Sequence, residues 1–407
     1  MSRSLLIIII SVVGGVLVFA GWFFFLRSDS TPTTRDVGDG FNTSPSQTIE
    51  VTPMGDTNVS QENTPNNTQS IQQQVFSVAQ GPIIAATVVQ TSPPTTTIAR
   101  YVQQNNGHVF DLVLGSSGAV PRAVSNTTIP GITRVLWTRQ GEGAILQYLD
   151  GGTIKTVSLG FPSQQATTTQ PVVIKFLPDG VQEIAVSPAG TSIAYLLRTA
   201  AGVQGFVAAP DGTGSRELFT LPLKEIVLIW ASQSTLLAHT KSAYGVPGIS
   251  FSINTSSGAV TSLLHASGLT LTADPGYTYL IYQISSSLGP SSYARSTKTG
   301  RSISLSFSPY PERCVWGVSA TSTLYCAGPV TYTPAHYLDL WHAGSARETE
   351  GLYQYILSTG EEELLVVPGG EQGGAESTID SIAVSPDDKY LLFVRRGDRS
   401  LWGVRLQ

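Results

Sequence analysis

A strand–turn–strand unit that recurs every 43 to 49 residues along most of this 407-residue chain limits its fold more than any other feature. The clearest copies are AVSPAGTSIAYLLR at 185–198 and AVSPDDKYLLFVRR at 383–396. In each, apolar residues lead into Ser-Pro, a Pro-Ala-Gly or Pro-Asp-Asp step turns the chain, and a β-branched and aromatic run follows. Weaker copies lie at 88–101, 135–146, 228–238, 272–282 and 315–325, with Trp137 and Trp230 in the apolar slot of two of them. Anchored on their turns, the seven copies fall near residues 92, 138, 187, 231, 274, 317 and 385, at spacings of 46, 49, 44, 43, 43 and 68. Five of the six spacings match one four-stranded propeller blade of about 40–50 residues. Second hairpins follow at 206–219, 251–263 and 353–365, each with a Gly-bearing turn between alternating apolar runs. The expected fold over 75–407 is therefore all-β, a β-propeller of about seven blades.

The last copy supplies only three strands before the chain reaches 407. Val75-Phe-Ser-Val-Ala79, just ahead of the first copy, is the natural fourth, so the two ends of the domain should zip together and close the ring. An open stack of repeats would need polar caps, and none is visible.

SPAGTSIAY and SPDDKYLLF, each with a PDG or STG hairpin in its own or a neighbouring blade, resemble the TolB-like, PD40-type propeller repeats of bacterial envelope proteins. The resemblance covers about 75–407. It implies a docking platform for protein or ligand, because such repeats specify architecture better than activity. The tryptophan-aspartate repeat family fits less well, since its closing Trp-Asp dipeptide is absent.

After a flank of four residues, LLIIIISVVGGVLVFAGWFFFL at 5–26 is an uncharged run of 22 residues, long enough at roughly 1.5 Å per residue to cross a hydrocarbon core of about 30 Å. It reads as a single-pass transmembrane helix. A cleaved signal peptide is the alternative, with Val18-Phe19-Ala20 as the cleavage-like site, but the apolar run continues through Trp22 to Phe25. Arg3 before the run and Arg27 and Arg35 after it do not set the orientation by positive charge. The very short first flank favours a cytoplasmic N-terminus with the propeller outside. Residues 27–74 carry almost no large apolar side chains and read as a disordered Ser/Thr/Asn/Pro-rich linker. A coil of that length reaches on the order of 40 Å. The Asn-x-Ser/Thr triplets at 42–44, 58–60 and 254–256 are expected by chance in so hydroxyl-rich a chain and receive no role.

Charged residues make up 13% of the chain and the net charge is -5, so no polyanion-binding field exists and nucleic acid is not an expected partner. The long spacing holds about 20 extra residues at 328–351, the most individual stretch of the domain. Insertions in repeat folds form loops, often on the binding face. Tyr332, His336, Tyr337, Trp341 and His342 have the amphipathic aromatic character of interface anchors and are the expected partner-binding residues; the competing expectation is that these rings cap the propeller and pack on their own blade. His336, Asp339 and His342 match no zinc spacing, so no metal or cofactor is expected. Cys314 and Cys326 flank one predicted hairpin and should face each other, as a disulfide or as two reduced core thiols. The acidic runs Asp387-Asp388 and Glu361-Glu362-Glu363 read as solvated turns or strand edges. No GxSxG elbow, HExxH, phosphate loop or calcium loop occurs. The expected function is a non-catalytic, membrane-anchored interaction scaffold for an envelope protein or polymer. An enzyme or ligand sensor with residues gathered in the channel from separate blades is the alternative, and a structural part of a larger envelope complex is a third.

Overall fold

The computed structural model describes residues 75–406 apart from 93–94, 163–171, 307–309, 320–321, 332–333, 347 and 369–377. The expected span at 5–26 and the linker at 27–74 lie outside the described residues. Among those described, no helix is long and apolar enough to cross a membrane.

The described strands form seven four-stranded antiparallel sheets. They comprise residues 83–125, 132–176, 181–221, 226–267, 270–304 and 314–366 for blades one to six, and 379–405 with Val75–Ala79 for blade seven. The first strands of successive blades touch around the ring, with the turn Pro311–Arg313 ahead of blade six making the contact to blade five, and the first strand of blade one also meets that of blade seven, so the sheets close into a seven-bladed propeller. Each recurring unit of the sequence is the first hairpin of a blade. The spacing holds because a blade is one turn-linked sheet of nearly constant size, and blade six alone carries an added segment.

The Ser-Pro signature has a mechanical basis. Ser385 Oγ accepts the Lys389 and Tyr390 backbone N–H groups, each at 2.9 Å, and donates to Asp387 Oδ1 at 2.7 Å. Ser187 Oγ accepts the Ser192 N–H at 3.0 Å in the equivalent turn of blade three. Asp274 holds the turn of blade five through the N–H groups of Gly276 and Tyr279. A short polar side chain thus satisfies turn donors that no strand can reach. Asp388 does more than face water, since its carboxylate accepts the Val318 and Ser319 N–H groups at 2.9 Å each and ties blade seven to the turn of blade six.

Between blades, alternating apolar residues form a series of local cores. Buried ion pairs interrupt them, the first in blade one. Arg100, on the second strand of blade one, forks onto both oxygens of Asp111 at 2.7 and 2.8 Å and reaches Gly141 O of blade two at 2.6 Å. Gly141 has φ 93°, and a Cβ there would meet Val89 Cγ2 at 2.6 Å, so only glycine brings that carbonyl to the guanidinium.

Val75–Ala79 is the outer strand of blade seven and pairs with Leu401–Arg405, placing Phe76 opposite Gly403. The missing side chain of Gly403 makes room for the Phe76 ring, which would lie 2.4 Å from any added Cβ. The same ring meets Tyr390 edge-on at 6.2 Å.

Candidate functional site

In an antiparallel blade, the connections between second and third strands and those between successive blades emerge on one face of the disc. The segment 330–349 joins the second and third strands of blade six, Thr323–Pro329 and Glu350–Ile356, so it rises on that face. Its neck is closed by Val330 N–H on Thr349 O at 3.0 Å, and its centre is the short helix Tyr337–His342. Six residues cannot sustain a helix in water, so the helix depends on the side chains it buries.

Those side chains are the aromatic ones. Tyr337 is fully buried, stacked on Tyr310 at 5.3 Å, and donates its OH to Glu350 Oε1 at 2.7 Å. Trp341 stacks on the other part of Tyr310 at 6.3 Å. Two guanidinium groups lie over its indole, Arg313 at 5.2 Å and Arg396 at 5.3 Å from the ring centroid. Below it, Arg313 donates to both carboxylate oxygens of Glu350 and to Ile379 O, while Ile379 N–H donates to Glu350 Oε2 at 2.6 Å. Burial works against the Arg313 charge, but the bonds to Glu350 and its negative charge outweigh that and raise the guanidinium above the usual arginine range. Burial, then the charge of Glu350, pushes the Tyr337 phenol up, which keeps it a neutral donor.

The helix also reaches blade four, because Asp339 Oδ1 accepts the Tyr244 N–H at 3.0 Å. That bond crosses over blade five. His336 and His342 remain exposed, and Trp341 is half-buried. Of the residues expected to contact a partner, the structure brings Tyr337, Trp341 and His342 onto one helix with His336 at its start, while Tyr332 lies outside the described residues. Tyr337 is enclosed and contributes to no surface, since its ring and hydroxyl are both spent inside.

Sequence reasoning missed Tyr310, Arg313, Glu350, Arg396 and Tyr244, which complete the cluster from three other connections and a strand start. The one local signal was the position of Tyr310 and Arg313 directly before the first strand of the blade that carries the insertion. Cys314 stands opposite Cys326 in register and is joined to it as a disulfide. Cys314 also lines a cavity of ≈ 110 Å³ between blades six and seven, with Arg313 and Asp380.

Charged groups gather near the helix. Glu312 accepts Thr270 Oγ1 at 3.1 Å, and Asp380 pairs with Arg399 and more loosely with Arg396. His239 is fully buried, its Nδ1 2.9 Å from Thr240 O and its Nε2 without a hydrogen-bond partner among the described residues. Burial holds its pKa below the usual histidine value, against the opposing pull of Glu312, the Thr240 bond and Glu183. The folded state therefore binds fewer protons there than the unfolded chain. Stability from this group is complete above the unfolded pKa of about 6.5 and falls as pH drops below it, by at most about 1.4 kcal/mol per pH unit. Urea unfolding at pH 7.5 and 5.5 is expected to show this loss, and H239Q to shrink it. Among the described residues, no group of His, Cys, Asp and Glu side chains comes together that could hold a metal ion.

Known structures share this architecture. An oligogalacturonate lyase solved in complex with manganese is 13% identical, covers 81% of this chain and 99% of its own, and superposes with a TM-score of 0.52. The β-propeller domain of Myceliophteria thermophila Cps50 (Swd1) is 14% identical over 82% of this chain and 98% of its own, with a TM-score of 0.50. At such identities these likenesses show the fold alone. TolB from Acinetobacter baumannii, 8% identical over 80% of each chain, superposes with a TM-score of only 0.37, too loosely to bear on the choice among propellers. No protein-family model and no curated protein matches the chain.

Proposed function

We propose that the chain is a membrane-anchored docking propeller of the TolB-like kind, held by the helix at 5–26 with its N-terminus in the cytoplasm and its propeller in the cell envelope. It binds a protein partner or an envelope polymer on the face that carries 330–349. The observation that supports this most is the two-sided construction of the insertion. Its inner side is locked by Tyr310, Arg313 and Glu350, and its Asp339 bridges to blade four, so His336, His342 and the open edge of Trp341 are presented on a short, fixed helix. A pre-ordered surface loses little conformational entropy when a partner binds. The charges of Lys241 from blade four, Glu312 from the start of blade six and Arg396 from blade seven all act on His342, the observation that favours the second reading, a ligand sensor or enzyme built across the ring.

The test is in-cell crosslinking of the full-length protein followed by co-purification, beside H336E/H342E. These two positions are exposed, so the variant should keep its fold, as unfolding curves would verify. A defined partner that the wild type recovers and the variant loses is the expected outcome. The same partner recovered equally by both, or none by either, would overturn the proposed role of this face.

A further inference from the structure

The outer strand of blade two, Val173–Phe176, differs from the other outer edges of the ring. Outer strands are bare sheet edges, and proteins usually protect them with charge or polarity. Blade one has Arg122 there, blade three Arg216 and Glu217, blade four Thr261 and Ser262, blade five Ser302 and Ser304, and blade six Glu361 to Glu363, while blade seven has no charge but keeps its apolar residues half-buried or buried. Blade two instead exposes Val173 at 56%, Ile174 at 41% and Phe176 at 70%, with Lys175 as the single charge.

Register assigns each side chain to a face. Ile174 and Phe176 stand opposite Leu159 and Val157, whereas Val173 and Lys175 stand opposite Gly160 and Ser158. Leu177 N–H bonds to Thr156 O of the third strand at 3.0 Å. Because backbone direction alternates along a strand, the N–H and C=O groups of Ile174 and Phe176 point outward, to the free edge. On the Lys175 face, a cavity of ≈ 300 Å³ opens between blades two and three, lined by Arg139, Glu142, Val173, Lys175 and Asp211 among others. Among the described residues neither Arg139 nor Lys175 forms an ion pair. The cavity lies with the turns between first and second strands, on the side of the disc away from 330–349.

We infer that this edge takes up an extended peptide as a fifth strand of blade two, the peptide carrying an acidic side chain between two apolar ones. Directly paired residues share a face, so an acidic residue opposite Lys175 pairs with its ammonium at the outer rim of the cavity, and its apolar neighbours cover Ile174 and Phe176. The open backbone groups supply affinity and the alternation supplies selectivity.

Fluorescence anisotropy of the full-length protein in detergent with a labelled Thr-Val-Glu-Val-Glu-Val-Thr peptide tests this. Saturable binding with a Kd below about 1 mM is expected. K175E should weaken it about fivefold, as befits an exposed charge pair, and should bind the Thr-Val-Lys-Val-Lys-Val-Thr peptide better than the wild type does. N-methylation of alternate peptide amides should abolish binding in one phase of the alternation and spare it in the other. Absence of saturable binding, or equal affinity of F176D, would overturn the inference. Concentration-dependent self-association that F176D abolishes, with no peptide binding, would assign the edge to a second copy of the chain and overturn it equally.

Discussion

R313L is expected to cost about 3–5 kcal/mol of stability. The reason is what it leaves behind. Glu350 is fully buried, and the guanidinium is the positive charge that balances its carboxylate, which also accepts the Tyr337 hydroxyl and the Ile379 N–H. A buried charge that loses its counter-ion costs far more than the pair contributes. Removing both charges in R313L/E350L should restore part of the loss but not all, because Tyr337 and Ile379 then lack an acceptor. Urea unfolding of the three proteins measures this. Trp341 gives a local readout, since it loses one of the two guanidinium groups over its indole and its emission should respond before the global transition. A cost under about 1 kcal/mol would mean that the cluster relaxes to admit water and does not lock the insertion.

Ring closure is the second sensitive point. F76A/V78A is expected to lower stability by about 4–5 kcal/mol, combining the removal of a half-buried aromatic ring with that of a buried aliphatic side chain. Phe76 fills the space above Gly403 and meets Tyr390, while Val78 joins the core between blades seven and one. The closing strand does not follow the other three strands of its blade in the chain, so loosening it opens the ring between those blades and bares the edge of Leu401–Arg405. Limited proteolysis should then cut first near residue 80, and the variant should aggregate through that edge. If unfolding is unchanged and no early cleavage appears, closure is carried by contacts between the inner strands alone.

These two sites also mark the boundary between what could and could not be read in the residues. Blade number and strand pairing follow from interactions that are local in sequence: Ser187, Asp274 and Ser385 each close a turn within about five residues, and alternation in 193–198 or 390–395 assigns one face of the strand to the core. Even the closing strand could be inferred, because a three-stranded last copy requires a fourth and Val75–Ala79 is the alternating run left over. The recurring unit determined the propeller because each blade satisfies its own backbone. The surroundings of the insertion were not legible in this way. Its aromatic residues fit an interface as well as a core, and the choice depended on Tyr310, Arg313 and Arg396, which reach Trp341 only after the ring has bent blades five, six and seven around one mouth. The bare edge at Val173–Phe176 was equally hidden, since a short apolar strand looks the same whether a neighbour covers it or not. Local hydrogen bonding and alternation determined the blades from the sequence alone, and the closure of the ring decided which side chains are enclosed and which are offered to a partner.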